Sequence, residues 1–233
     1  TLQLGGQDQW GNITSGLELI RKKHGADVEC YGLTMPLITK ADGTKFGKTE
    51  SGTVWLDPKK TSPYEMYQFL VNAEDAKVVE YLKRLTFLDK EEIERLEECV
   101  KNEPHLREAQ KVLGREVVTF LHGSDAYETA LKITNALFRG NIRELSADEQ
   151  RDALSSMEKV QVSEAMDLAS TLVSAKIASS KREAREWIKS GSIQINGEKV
   201  QDETRVIDAS SALVDDMILI KRGKRNYYVL TFA

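Results

Sequence analysis

Lys45-Phe46-Gly47-Lys48-Thr49 is the stretch on which the reading of this chain turns. It follows an Asp42-Gly43 turn and sets two lysines three positions apart on a glycine-containing loop that ends in a hydroxyl. Two mobile ammonium groups beside a hydroxyl suit a polyphosphate, because lysine binds phosphate as a flexible point charge. A P-loop is the obvious rival. Its glycines need a longer spacer than the three residues between Gly43 and Gly47, and a long helix must follow. The continuation Glu50-Ser51-Gly52-Thr53-Val54-Trp55 carries no helical pattern, so the P-loop fails on spacing and on context.

Upstream lies Leu4-Gly5-Gly6-Gln7-Asp8-Gln9-Trp10-Gly11-Asn12-Ile13. Missing side chains at Gly5 and Gly6 let a backbone approach a ligand closely, and a nearby carboxylate can accept ribose hydroxyls. On its residues alone the segment reads equally well as a strand-to-helix turn capped by Asp8 or Asn12, with Trp10 as a packing residue.

Residues 1 to about 60 read as the tail of an α/β domain: a strand at Leu2–Leu4, a helix carrying Ile13, Leu17 and Ile20, and a strand through Tyr31, Leu33, Met35 and Leu37. Ligands of open α/β sheets collect beyond the carboxyl ends of strands, and both motifs fall there. From 61 to 140 the pattern is helical. Ser62-Pro63-Tyr64-Glu65 is a capping box with proline at the first helical position, and Asp89–Glu92 repeats the box. Residues 141–162 are polar and read as a partly ordered linker with a further box at Ser146–Glu149. Residues 163–233 read as two helices, the first from Ser163 and the second capped by Ser180, followed by hairpins at Asn196-Gly197 and Arg222-Gly223-Lys224.

On the helix after Ser180, Lys181, Arg185 and Lys189 share one face, flanked by Arg182 and opposite Ala184, Trp187 and Ile188. With Lys221, Arg222, Lys224 and Arg225 they form a basic stripe able to contact RNA phosphates, a mode that carries affinity and salt dependence. The net charge is −4 and the pI near 5.6, so such a stripe is a local feature of a mildly acidic body. No apolar run approaches membrane-span length. Cys30 and Cys99 are too few for a disulfide framework, His24, His105 and His122 have no metal-ligand spacing, and a reducing cytoplasm is the expectation.

The lysine loop resembles the second signature of class I aminoacyl-tRNA synthetases in its bacterial tyrosyl form. Phe46, Gly47 and Thr49 stand where the generic loop has methionine, serine and serine. The Leu4–Ile13 segment resembles the nucleotide-side motif of the same branch, and the C-terminal pattern resembles the RNA-binding fold named after ribosomal protein S-four. The resemblance spans nearly the whole chain. It implies a multidomain α/β, α and α+β protein: the tail of a Rossmann-like catalytic domain, a helical anticodon-binding domain and an S-four-like domain. It further implies that Lys45 and Lys48 stabilise the β- and γ-phosphates of ATP and that Thr49 supplies the loop's final hydroxyl. Gly6 would contact the ribose, Asp8 would bind its hydroxyls, and Gln9 would lie near the tyrosyl carboxyl. ATP with Mg2+, L-tyrosine and tRNA(Tyr) are the implied partners, the parent a homodimer. No first signature stands within these residues, so the chain reads as the C-terminal part of a longer protein that carries that signature upstream of Thr1, and as inactive alone in adenylate formation. The alternative is a non-catalytic RNA-binding protein keeping a relic nucleotide segment.

Overall fold

β1 (Leu2–Gly6) leads through a 3-10 turn into α1 (Trp10–His24), β2 (Tyr31–Met35) and the short β3 (Lys48–Thr49) and β4 (Gly52–Thr53). Helices α2 (Pro63–Val71), α3 (Asp75–Leu85), α4 (Lys90–Asn102), α5 (Glu108–His122), α6 (Ser124–Arg139) and α7 (Ala147–Ser155) follow. The remainder is β5 (Lys159–Val162), β6 (Met166–Asp167), α8 (Leu168–Ser174), α9 (Lys181–Lys189), β7 (Ile193–Ile195), β8 (Glu198–Lys199), β9 (Val206–Ile207), β10 (Met217–Arg222) and β11 (Asn226–Phe232). This computed structural model describes residues 1–49, 52–155, 157–162, 164–223 and 226–232. The chain forms two compact units, one of residues 1–55 and 73–113, the other of 56–72 and 114–233. Residues 61–140 are thus shared between them.

In the first unit β1 and β2 run parallel, in register from Leu2 opposite Tyr31 to Gly6 opposite Met35, with α1 as the crossover. Ile13 on α1 is buried against this pair. The other face of the pair carries Leu2, Leu4, Tyr31, Leu33 and Met35, all more than half exposed. Val78 and Leu82 of α3 and Leu96 of α4 are fully buried. Asp89 accepts the Glu92 N–H at 2.8 Å and so caps α4, making one arm of the expected box.

In the second unit both arms of the Ser62–Glu65 box are made. The Gln68 amide donates to Thr134 Oγ1 at 2.7 Å, and Tyr67 meets Tyr127 edge-on, tying α2 to α6. The segment expected to be a partly ordered linker is folded. Ser146 and Glu149 close their box, and Ile142, Leu145, Ala153 and Leu154 are buried. Few apolar residues made the segment look like a linker, but these four are buried.

The sheet runs β5-β11-β10-β7-β8, with β5 parallel to β11 and the other pairs antiparallel. Leu168 and Leu172 of α8 and Ala184 and Ile188 of α9 share its core with Ile193, Ile195, Ile218, Ile220 and Leu230. Asn196 (φ 50°) and Gly197 (φ 87°) turn the β7–β8 hairpin, both in the left-handed region that such a two-residue turn demands. The first helix starts later than expected. Ser163 lies outside the described residues, Met166–Asp167 pairs with β9, and Asp167 caps α8 by accepting the Ser170 N–H.

Candidate functional site

Both sequence motifs stand at the carboxyl end of the parallel pair. Gly6 closes β1, Asp8 sits on the 3-10 turn directly after it, and the lysine loop follows β2. A Cβ at Gly6 would lie 2.7 Å from both Asp8 Oδ1 and Leu37 Cδ2. Only glycine lets Asp8 fold back over the strand end.

Residues 38–46 form a small hairpin. Phe46 N–H donates to Ile38 O (3.0 Å), Lys40 N–H donates to Thr44 O (2.8 Å), and Thr39 bridges Lys45. Asp42 holds the turn by accepting from both the backbone and the hydroxyl of Thr44. Gly47 (φ 86°) then leads into β3, where Lys48 pairs with Thr53 and Thr49 with Gly52. The side chains of Lys48 and Thr49 lie outside the description.

The two motifs meet. Lys45 Nζ donates to Asp8 Oδ2 at 3.1 Å, thirty-seven residues apart in sequence. This hydrogen bond from Lys45 is the main reason the Asp8 carboxyl titrates below its ordinary value. Both side chains remain solvent-accessible, so the pair contributes little to stability and is easily opened. Gln9 Oε1 accepts from the Asn12 side chain at 3.0 Å, and the Gln9 side chain also hydrogen-bonds the Asp8 carboxylate, which helps keep its pKa low. Trp10, expected to pack, is 56% exposed. α1 presents only Ile13 fully inward, and the first turn of the helix stands clear of that contact. Among the described residues no three His, Cys, Asp or Glu side chains cluster as a metal site, and no helix is long and apolar enough to cross a membrane.

Nothing in the sequence pointed to what seats the loop. Its hairpin rests on α3, where Tyr81 donates to Thr39 O and Phe46 lies against the Tyr81 ring.

The basic stripe of the second unit is narrower than its sequence suggested. Lys181, Arg182, Arg185 and Lys189 are exposed on α9, as the helical spacing requires. Arg182 pairs with Glu186 in solvent, and Arg185 pairs at 3.4 Å with a Glu203 carboxylate oxygen that is itself buried. Arg222 donates to Ile177 O and lies over the Trp187 ring, 4.6 Å from its centroid. Lys221 leaves the stripe. It is 7% exposed, and its ammonium donates to the carbonyls of Leu137 (3.2 Å) and Phe138 (3.3 Å) at the end of α6. The Tyr227 ring lies 5.0 Å away, and its hydroxyl donates to the same Leu137 carbonyl. Lys221 therefore caps a helix, because its strand position faces α6 and the helix C-terminus attracts a cation. Lys224 and Arg225 lie outside the described residues.

Residues 1–139 match the family described as tRNA synthetases class I (W and Y), and residues 149–230 match the tyrosine--tRNA ligase SYY-like C-terminal domain. A tyrosine--tRNA ligase of Staphylococcus carnosus is 50% identical over 232 residues, covering 99% of this chain and 55% of that protein. One from Bacillus pumilus is 51% identical over 234 residues with the same coverages. A C-terminally truncated mitochondrial tyrosyl-tRNA synthetase of Coccidioides posadasii is 37% identical over 57% of this chain and 38% of its own, at a TM-score of 0.45. The chain spans about half the length of the curated relatives it matches.

Proposed function

The chain belongs to the class I tRNA synthetases of the tryptophan and tyrosine branch, and from that premise we propose that it serves as the carboxyl-terminal part of a cytoplasmic tyrosine–tRNA ligase. In this reading residues 1–60 end a Rossmann-like catalytic domain, 61–140 recognise the anticodon, and 163–233 form an S-four-like RNA-binding domain, with 141–162 between them. The whole protein, a homodimer, activates tyrosine with ATP and transfers it to tRNA(Tyr).

The observation that carries this reading is the meeting of Asp8 and Lys45 at the carboxyl ends of β1 and β2. When the Mg2+–ATP complex enters, Gly6 admits the ribose and Asp8 accepts its hydroxyls. Lys45 exchanges one carboxylate for the β- and γ-phosphates, with Lys48 and the Thr49 hydroxyl beside it. Charge grows on the departing pyrophosphate as the α-phosphorus is attacked, and a cation delivered there lowers the barrier. Gln9 faces the tyrosyl carboxyl. Lys181, Arg182, Arg185, Lys189 and Arg222, with Lys224 and Arg225, bind tRNA phosphates.

The test is ATP–pyrophosphate exchange by the full-length parent with each of the twenty amino acids. Exchange with tyrosine alone is expected. Exchange with none would leave the RNA-binding reading, with the lysine loop as a relic.

A further inference from the structure

α3, DAKVVEYLKRL, buries Val78 and Leu82 but also a tyrosine that is only 2% exposed. A hydroxyl brought that far inside needs a partner, and Tyr81 finds it in the Thr39 carbonyl at 2.9 Å. Three further contacts come from the same helix face. Arg84 donates to Pro36 O at 3.1 Å, and Lys77 reaches Thr39 Oγ1 at 3.4 Å. The Phe46 ring centroid lies 4.4 Å from that of Tyr81. Positions 77, 81 and 84 fall on one face by helical spacing. Glu80 accepts from Lys77 at 2.9 Å and pairs with Arg84 at 3.1 Å, so both donors are held in place from within the helix.

The seat is directly coupled to the lysine loop. Thr39, whose carbonyl Tyr81 grips, is the residue that bridges Lys45 across the hairpin. Phe46, whose ring Tyr81 supports, is the next residue after Lys45. The Lys45 side chain itself is more than half exposed and, among the contacts described above, is tied only through Asp8. The backbone that carries it is held on α3 by the seat. A reacting group displaced by an ångström can lose on the order of a hundredfold in rate.

We infer that Tyr81 is a positioning residue for adenylate formation: its hydroxyl and ring hold the lysine hairpin on α3 so that Lys45 stands over the nucleotide site. This rests on the reading that Lys45 acts on ATP phosphates.

Two arms separate the seat from the reaction. In this 233-residue chain, hydrogen exchange of the Lys40 and Phe46 amides should quicken about fivefold in Tyr81→Phe, as expected for losing one hydrogen bond. Unchanged exchange overturns the seat whether or not the parent is a ligase. In the full-length parent, Tyr81→Phe should lower kcat for tyrosine-dependent pyrophosphate exchange about tenfold, with KM for tyrosine unchanged. The same substitution placed on Lys45→Ala should cost nothing further, because the lysine it positions is gone. An equal cost in both backgrounds overturns the positioning role and leaves Tyr81 as a packing residue. Parent protein that shows no tyrosine-dependent exchange while the amides still quicken refutes the ligase reading, and with it the catalytic half of this proposal.

Discussion

Lys221→Met is the substitution that most directly separates a helix-capping lysine from an RNA contact. Methionine keeps an unbranched stem of similar length and removes only the ammonium. Two carbonyls, of Leu137 and Phe138, lose their donor, though Leu137 keeps the Tyr227 hydroxyl. A hydrogen bond to a charged group contributes about 1.5–3 kcal/mol, and a cation at a partly buried helix C-terminus up to about 2 kcal/mol. Against this stands the desolvation of the ammonium, which methionine no longer incurs. The balance is a destabilisation of about 2 kcal/mol. With a urea m-value near 2 kcal/mol/M, the unfolding midpoint of this chain should fall by about 1 M. The salt dependence of tRNA binding should be untouched at concentrations where the protein is folded. An unchanged midpoint together with a salt slope shallower by about one unit would put Lys221 on a phosphate and refute the capping assignment.

Gly197→Ala forces alanine into the left-handed region and drives its Cβ into the Gly140 carbonyl, so a loss of at least about 2 kcal/mol is expected by urea denaturation. Asp152 is held above its ordinary carboxyl range chiefly by burial, with Glu65 adding to the shift and the Ser62 hydroxyl opposing it. The folded state therefore binds the proton more tightly than the unfolded one, and stability drains away as pH rises from the unfolded value through the folded one. Asp152→Asn should raise the unfolding midpoint at pH 7 and leave it unchanged below about pH 3.8, where the acid is protonated in both states; a gain of equal size at both pH values would rule this out. Lys181→Ala combined with Arg185→Ala should flatten the salt dependence of tRNA binding by between one and two units, read by filter binding across a salt series, with tyrosine-dependent pyrophosphate exchange unchanged. An unaltered slope would make the α9 face merely solvated.

What could be read in advance was local. The Ser62 box, the Ser180 cap and the Asn196-Gly197 turn each depend on atoms within four residues, and each formed as written. The convergence of the two motifs was legible through a general property of parallel strands, their ligand-bearing carboxyl ends. Lys221 was not legible, because a lysine in a basic run looks alike whether it faces water or the end of α6, eighty-odd residues back in sequence. Tyr81 was hidden for the same reason: its spacing marks a helix face, and only the fold says that the lysine hairpin rests there. The 141–162 segment misled by composition, since Ile142, Leu145, Ala153 and Leu154 are few but all buried. Trp10 misled in the other direction, a large ring that the packing of α1 leaves outside.

The order of strands in the five-stranded sheet sets a timetable. β11 lies between β5 and β10, yet it is synthesised after every other strand of that sheet. While it is still in the ribosome, β5 has no neighbour and β10 has only β7. The nascent unit must hold two strands open until β11 arrives, a non-local closure that is slow and leaves edges exposed. Loss of a few residues from the 226–232 strand would thus separate β5 from the rest of the sheet.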